Sequence, residues 1–199
     1  NNNYGQIEAG PLFAVPDRVR PIISGDLNAD GISDLVLLHR GGSLYDIPPR
    51  ISVVTVSLQG SFTLSQTITV GGLQTGAAEP RDAFLKDLNG DGALDITILM
   101  RSLSSKNIYV YLNDGTGKFT PSSPSRDFYH QDQGESMLGS DFNLDGTVDI
   151  AVSHHTGIRG AISVFCNSGQ DSLYQNEPDY SIEHGDFDFE SSLCQDFNH

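Results

Sequence analysis

The 199-residue chain has no tryptophan, two cysteines and two methionines, and its 11 lysines and arginines stand against 26 aspartates and glutamates. Each shortage excludes something. Two cysteines, Cys166 and Cys194, are too few for a disulfide scaffold. A formal charge of −15 argues against nucleic acid or an anionic membrane surface as partner, because both need cations to neutralise phosphates. No run approaches the ~18 apolar residues of a membrane span, so insertion is not expected. The opening residues 1–10 lack the basic-then-apolar pattern of a secretion signal, so the chain reads as mature, as a piece of a longer one, or as never exported by that route. No heptad is sustained, and 21 glycines and 9 prolines recur throughout, which excludes a coiled coil. What remains is 37% hydrophobic and long enough for one domain or part of one.

What the chain does have is a repeated acidic pattern. Asp26-Leu-Asn28-Ala-Asp30-Gly31-Ile-Ser-Asp34, Asp87-Leu-Asn89-Gly-Asp91-Gly92-Ala-Leu-Asp95 and Asp141-Phe-Asn143-Leu-Asp145-Gly146-Thr-Val-Asp149 align without gaps. Their first aspartates are 61 and then 54 residues apart, and a further step of 55 reaches Asp196, followed by Asn198. Periods of this length signal a repeat architecture whose units bury their apolar faces against one another. Short β-rich runs flank every loop: 21–24, 83–85 and 136–139 before it, 35–38, 96–99 and 150–153 after it. A third run follows at 51–58, 108–112 and 161–166, and a weaker fourth begins near Phe62, Phe119 and Leu173. Runs of this length bounded by Gly, Asn, Asp and Pro read as strands.

Four antiparallel strands per ~55 residues, repeated radially, make a β-propeller blade. The fold class expected is therefore all-β: about three complete blades, with partial blades at each end, in a single propeller segment of a longer chain. The repeat units fall at approximately 15–70, 80–125 and 134–180, with a truncated fourth from 190.

Five oxygen-bearing positions within nine residues, with glycine sixth for a sharp turn, are how a chain wraps a hard cation. The side chains expected to act are Asp26, Asn28, Asp30 and Asp34 with the Ile32 carbonyl; Asp87, Asn89, Asp91 and Asp95 with that of Ala93; Asp141, Asn143, Asp145 and Asp149 with that of Thr147; and Asp196 and Asn198 in the truncated copy. Carboxylates and an amide suit Ca²⁺ better than Zn²⁺, and Mg²⁺ rarely accepts an all-protein cage. An EF-hand would need Glu at the twelfth position, where Leu37, Ile98 and Val152 stand, so the ninth aspartate is expected to close the cage. Asp-Asn-Asp-Gly also makes ordinary polar turns. Three in-register copies weigh against that, because clustered carboxylates without a cation would repel one another in every copy.

These loops, the apolar strands beside them and the hairpin Asn113-Asp114-Gly115-Thr116-Gly117-Lys118-Phe119 resemble the FG-GAP/VCBS repeat family, whose blades also build the integrin alpha propeller. The resemblance implies one calcium ion per complete repeat, an extracellular or cell-surface location, and ligand recognition more often than catalysis. Leu27 and Leu88 stand where the family commonly has an aromatic residue.

Antiparallel alternation puts the acidic loops at one end of the strands. The second-to-third-strand loops and the blade connections lie at the other, at 39–50, 100–107, 153–160, 16–20, 71–82, 121–135 and 176–190. Nine of the eleven cations fall there, among them Arg18, Arg20 and Arg40. The candidate ligand face drawn from these loops comprises Tyr45, Arg50, Arg81, Arg101, Arg126, Tyr129, His154 and Arg159, suited to an anionic or polar glycan or protein ligand. The plainer reading is that loops simply carry polar residues.

No nucleophile, zincin or phosphate-loop motif is present, and His154-His155 are neighbours on a strand, so they point to opposite faces. An enzyme is not expected. Cys166 and Cys194 are open to two readings, a disulfide in an oxidising environment or two buried thiols. The function expected is a calcium-binding extracellular module for adhesion or ligand recognition. The alternative is a non-catalytic accessory or structural propeller of a larger secreted enzyme or assembly, with neighbouring blades of a longer chain as partners.

Overall fold

A computed structural model describes residues 18–41, 47–70, 79–101, 108–122, 134–156, 159–167 and 180–183. Among these residues the chain forms strands and turns only. Three four-stranded antiparallel sheets follow one another, each a meander in chain order. The first holds β1 (Val19–Gly25), β2 (Asp34–His39), β3 (Arg50–Val56) and β4 (Phe62–Thr69). The second holds β5 (Glu79–Lys86), β6 (Asp95–Arg101), β7 (Ile108–Asn113) and β8 (Phe119–Pro121). The third holds β9 (Gly134–Ser140), β10 (Asp149–Thr156), β11 (Arg159–Phe165) and β12 (Tyr180–Glu183).

The strands form where β-branched and aliphatic residues alternate faces, and each sheet stacks on the next through that alternation. Val36, Leu38, Ile51 and Val53 of the first sheet meet Ile96, Ile98, Met100, Tyr109 and Tyr111 of the second. The opposite face of the second sheet, with Leu99, Ile108 and Val110, meets Ile150, Val152 and Phe165 of the third. The middle sheet is thus buried on both faces, and this is blade-on-blade packing. The first strands lie closest together, β1 against β5 and β5 against β9. Gly139 in β9 is required there: a Cβ would come within 2.6 Å of the Phe84 ring.

Three expectations about boundaries are corrected. The fourth strand of the third unit runs Tyr180–Glu183, within the stretch 176–190 expected as a connection, while Leu173 lies outside the described residues. Strand β10 continues to Thr156, and β3, β6 and β11 start or end on Arg50, Arg101 and Arg159, so these positions are strand rather than loop. Pairing to the neighbouring strand extends the ladder past the apolar run that marked it in the sequence: His39 faces Arg50, Glu79 faces Arg101 and Thr156 faces Arg159. The partial blades expected at the ends lie outside the described residues.

Candidate functional site

Each acidic loop joins the first two strands of its sheet, and all three close by the same hydrogen bonds. The first aspartate accepts from two amides: Asp26 Oδ1 from Asp30 N at 3.2 Å and Oδ2 from Gly31 N at 2.8 Å. Asp87 does the same with Asp91 and Gly92, and Asp141 with Asp145 and Gly146. The third-position amide donates to the fifth-position carboxylate, Asn28 Nδ2 to Asp30 Oδ2 at 3.0 Å, and Asn89–Asp91 and Asn143–Asp145 at 2.9 Å. The turn needs left-handed backbone twice per loop. Gly31, Gly92 and Gly146 supply it at the sixth position with φ of 82–89°; at the fourth, Gly90 is joined by Ala29 (φ 60°) and Leu144 (φ 61°). Alanine and leucine carry a steric cost there that glycine does not.

The ninth aspartate has a different place from its two partners. Asp34, Asp95 and Asp149 are fully buried. One oxygen accepts from the second loop residue, at 3.2 Å for Leu27 N, 3.0 Å for Leu88 N and 3.0 Å for Phe142 N. The other accepts from the last residue of the third strand or from the residue two beyond it, at 2.8 Å for Val56 N, 2.8 Å for Asn113 N and 2.9 Å for Asn167 N. Besides standing at the position expected to close the cage, this carboxylate pins the loop to the third strand, with one amide donor on each oxygen. Burial, the largest influence, together with the nearby Asp91 and Asp87 charges, outweighs the two amide bonds and pushes Asp95 up to about 6. Asp149 is raised by the same causes. Burial also acts on Asp145, but hydrogen bonds from Thr147 and Asn143 hold its carboxyl below the ordinary value.

Among the described residues no three His, Cys, Asp or Glu side chains converge tightly enough to make a metal site from those groups alone. What each loop offers is an all-oxygen set: three carboxylates, the ninth of them buried, an amide and the seventh carbonyl, with Asp30, Asp91 and Asp145 exposed. None of the ion pairs between described residues involves a loop carboxylate. By donor chemistry the set fits a hard divalent cation and not a soft one. Asp196 and Asn198 lie outside the described residues.

Residues that pattern reading missed tie each loop to its neighbour. Asn113, which looked like a turn residue only, donates through Nδ2 to the Leu27 carbonyl of the preceding sheet at 2.9 Å and to Leu94 O at 3.1 Å. Asn167 repeats this toward Leu88 O at 2.9 Å. Leu27 and Leu88, in place of the common aromatic, are buried in the seams between sheets. Their shared signal was position: both asparagines fall eighteen residues after a ninth aspartate.

At the other end of the strands the candidate ligand face divides. Tyr45, Arg126 and Tyr129 lie outside the described residues, and of Arg159 only the backbone is described. Arg50 is half-buried at the start of β3 and Arg101 is exposed at the end of β6. His154 is corrected: it shares the inward face of β10 with Ile150 and Val152, is buried, and its Nε2 lies 2.9 Å from Ser163 Oγ. His39 and Ser52 make the same buried contact at 2.8 Å in the first sheet, so this is a framework pair rather than a recognition group. Arg81 is brought together with Arg18, Arg20 and Arg40, three cations left out of the candidate set, around a cavity of about 430 Å³ whose remaining lining is Pro21, Glu79 and Pro80. Cys166 is disulfide-bonded; Cys194, the only other cysteine, lies outside the described residues.

Three meanders stacked face to face, with an acidic loop after each first strand, are blades of the β-propeller type. The chain belongs to the FG-GAP-like repeat family, whose model matches residues 26–98 and 87–152. No curated protein matches it.

Proposed function

We propose that the chain is a calcium-pinned, extracellular or cell-surface propeller module that recognises a ligand, and that it binds rather than catalyses. The observation that carries the calcium reading is threefold repetition of one loop geometry, in which a half-buried first-position carboxylate and an exposed fifth-position one share a turn with an amide oxygen. Asp26, Asn28, Asp30, Asp34 and the Ile32 carbonyl would hold the first ion, and the equivalent residues the other two. The ion would supply the charge that offsets carboxylate repulsion, and the buried ninth aspartate would pass that rigidity to the third strand. A disulfide-bonded Cys166 accords with an oxidising compartment. Exposed Ile22 and Leu64 on the outer face of the first sheet, and Leu138 and Ile162 on that of the third, support neighbouring blades as partners.

The test is thermal unfolding with calcium and after its removal. Binding to the folded state alone raises the melting temperature by linkage, here by several degrees. Asp91→Ala should remove one ion from the stoichiometry measured by calorimetry and leave two. Identical melting curves in both conditions would defeat the reading.

A further inference from the structure

The cavity at the β1–β5 junction concentrates charge that the rest of the chain does not explain. Four arginines, Arg18, Arg20, Arg40 and Arg81, line it with a single acidic residue, Glu79. In a chain of formal charge −15, four of eleven cations share one wall. Glu79 is already engaged, 3.1 Å from Arg40 Nε and 3.9 Å from Arg81 Nε, and Arg81 also lies 3.8 Å from Glu135. Among the described residues no carboxylate pairs with Arg18 or Arg20. Arg81 Nε is buried with no hydrogen-bond acceptor. Like charges gathered this way repel unless an anion joins them, and guanidinium forks match planar or tetrahedral oxyanions.

Size and walls narrow the ligand. A volume of about 430 Å³ exceeds what a bare sulfate fills and falls in the range of small-molecule sites, ~300–1,000 Å³. Pro21 and Pro80 add rigid apolar surface to a rim of four arginines and Glu79. A sugar ring offers an apolar face for such surface and an acidic substituent for the forks. The site also stands clear of the acidic loops: Arg20 and Asp26 are six positions apart along β1, about 20 Å at strand rise, beyond the ~8 Å screening length at physiological salt.

We propose that this cavity binds an acidic sugar unit, through its carboxylate or sulfate group; the proposal rests on the ligand-recognition reading above and names its site and ligand class. The experiment is titration calorimetry on the calcium-loaded protein with three disaccharides of equal size, one sulfated, one carrying only a uronate carboxylate and one uncharged, alongside inorganic sulfate and an acidic peptide. Saturable binding of the sulfated disaccharide, the uronate disaccharide or both is expected, with the stronger of the two identifying the anionic group, and none of the uncharged one. Arg20→Ala and Arg40→Ala should each weaken binding at least tenfold. Glu79→Gln removes the competing carboxylate and should tighten it severalfold, a gain that a merely structural role does not produce. No saturable binding of either acidic disaccharide, affinities unmoved by these substitutions, or equal affinity for inorganic sulfate would overturn the proposal; tighter binding of the peptide would overturn it in favour of a protein partner. If a ligand instead binds through Arg50 or Arg101 while the cavity takes nothing, the recognition reading stands and this one falls.

Discussion

Within one nine-residue loop, aspartates of identical type do opposite jobs. Asp91 is exposed and held by its neighbours, whereas Asp95 is buried and holds two amides, Leu88 across the loop and Asn113 at the end of the third strand. Removing a buried acceptor leaves each partner to bear its desolvation cost, about 1–3 kcal/mol per amide. Asp95→Ala should therefore lower the stability of the metal-free protein by about 2–6 kcal/mol, measured by urea unfolding. Asp91→Ala should change that quantity little and act on metal binding instead. Equal losses in metal-free protein would contradict the division of labour.

Each blade is a separate meander, yet the seams are stitched by side chains reaching across to the neighbouring blade. Asn113 accepts from Gly115 N and Gly117 N through Oδ1, which shapes its own hairpin, and through Nδ2 it holds the preceding blade's loop. Gln66 of β4 exchanges two 2.9 Å bonds with the Phe119 backbone of β8, and Asp82 of β5 accepts from Ser136 Oγ and Met137 N of β9. Blades built this way transmit disturbance to their neighbour. Asn113→Ala should speed amide hydrogen exchange in the loop around Leu27 as well as in its own hairpin, by mass spectrometry. Exchange confined to residues 113–119 would show the seam bond to be incidental. Such pairs were not legible in the sequence, because Asn113 and Leu27 are 86 residues apart and no local pattern couples them.

For the whole molecule, charge distribution sets the response to pH. Asp95 is raised to about 6 and Asp149 is also raised, so ionising them opposes folding. In metal-free protein, stability should rise as pH falls from 7 through 6 toward 4, where the unfolded chain also binds these protons. Asp114, lowered by the Thr116 hydroxyl and amide, and Asp145 favour their charged forms on folding, and that contribution disappears below about 4. Melting temperatures of the metal-free protein should therefore peak on the acid side of neutrality. A maximum at or above pH 7 would refute this balance. Calcium, by offsetting the loop charges, should move the peak upward.

The sequence by itself determined the repeat, the strand-forming runs, the loop residues and the segregation of cations from acidic loops, because all of these follow from local spacing and from strand alternation. Only the tertiary structure decided which carboxylate is buried, which asparagine spans a seam, that His154 belongs to the core, and that Arg18, Arg20, Arg40 and Arg81 share one cavity. The physical reason is distance along the chain: periodicity fixes what a residue's neighbours in sequence can do, whereas burial and charge pairing depend on segments that only the stacking of sheets brings together.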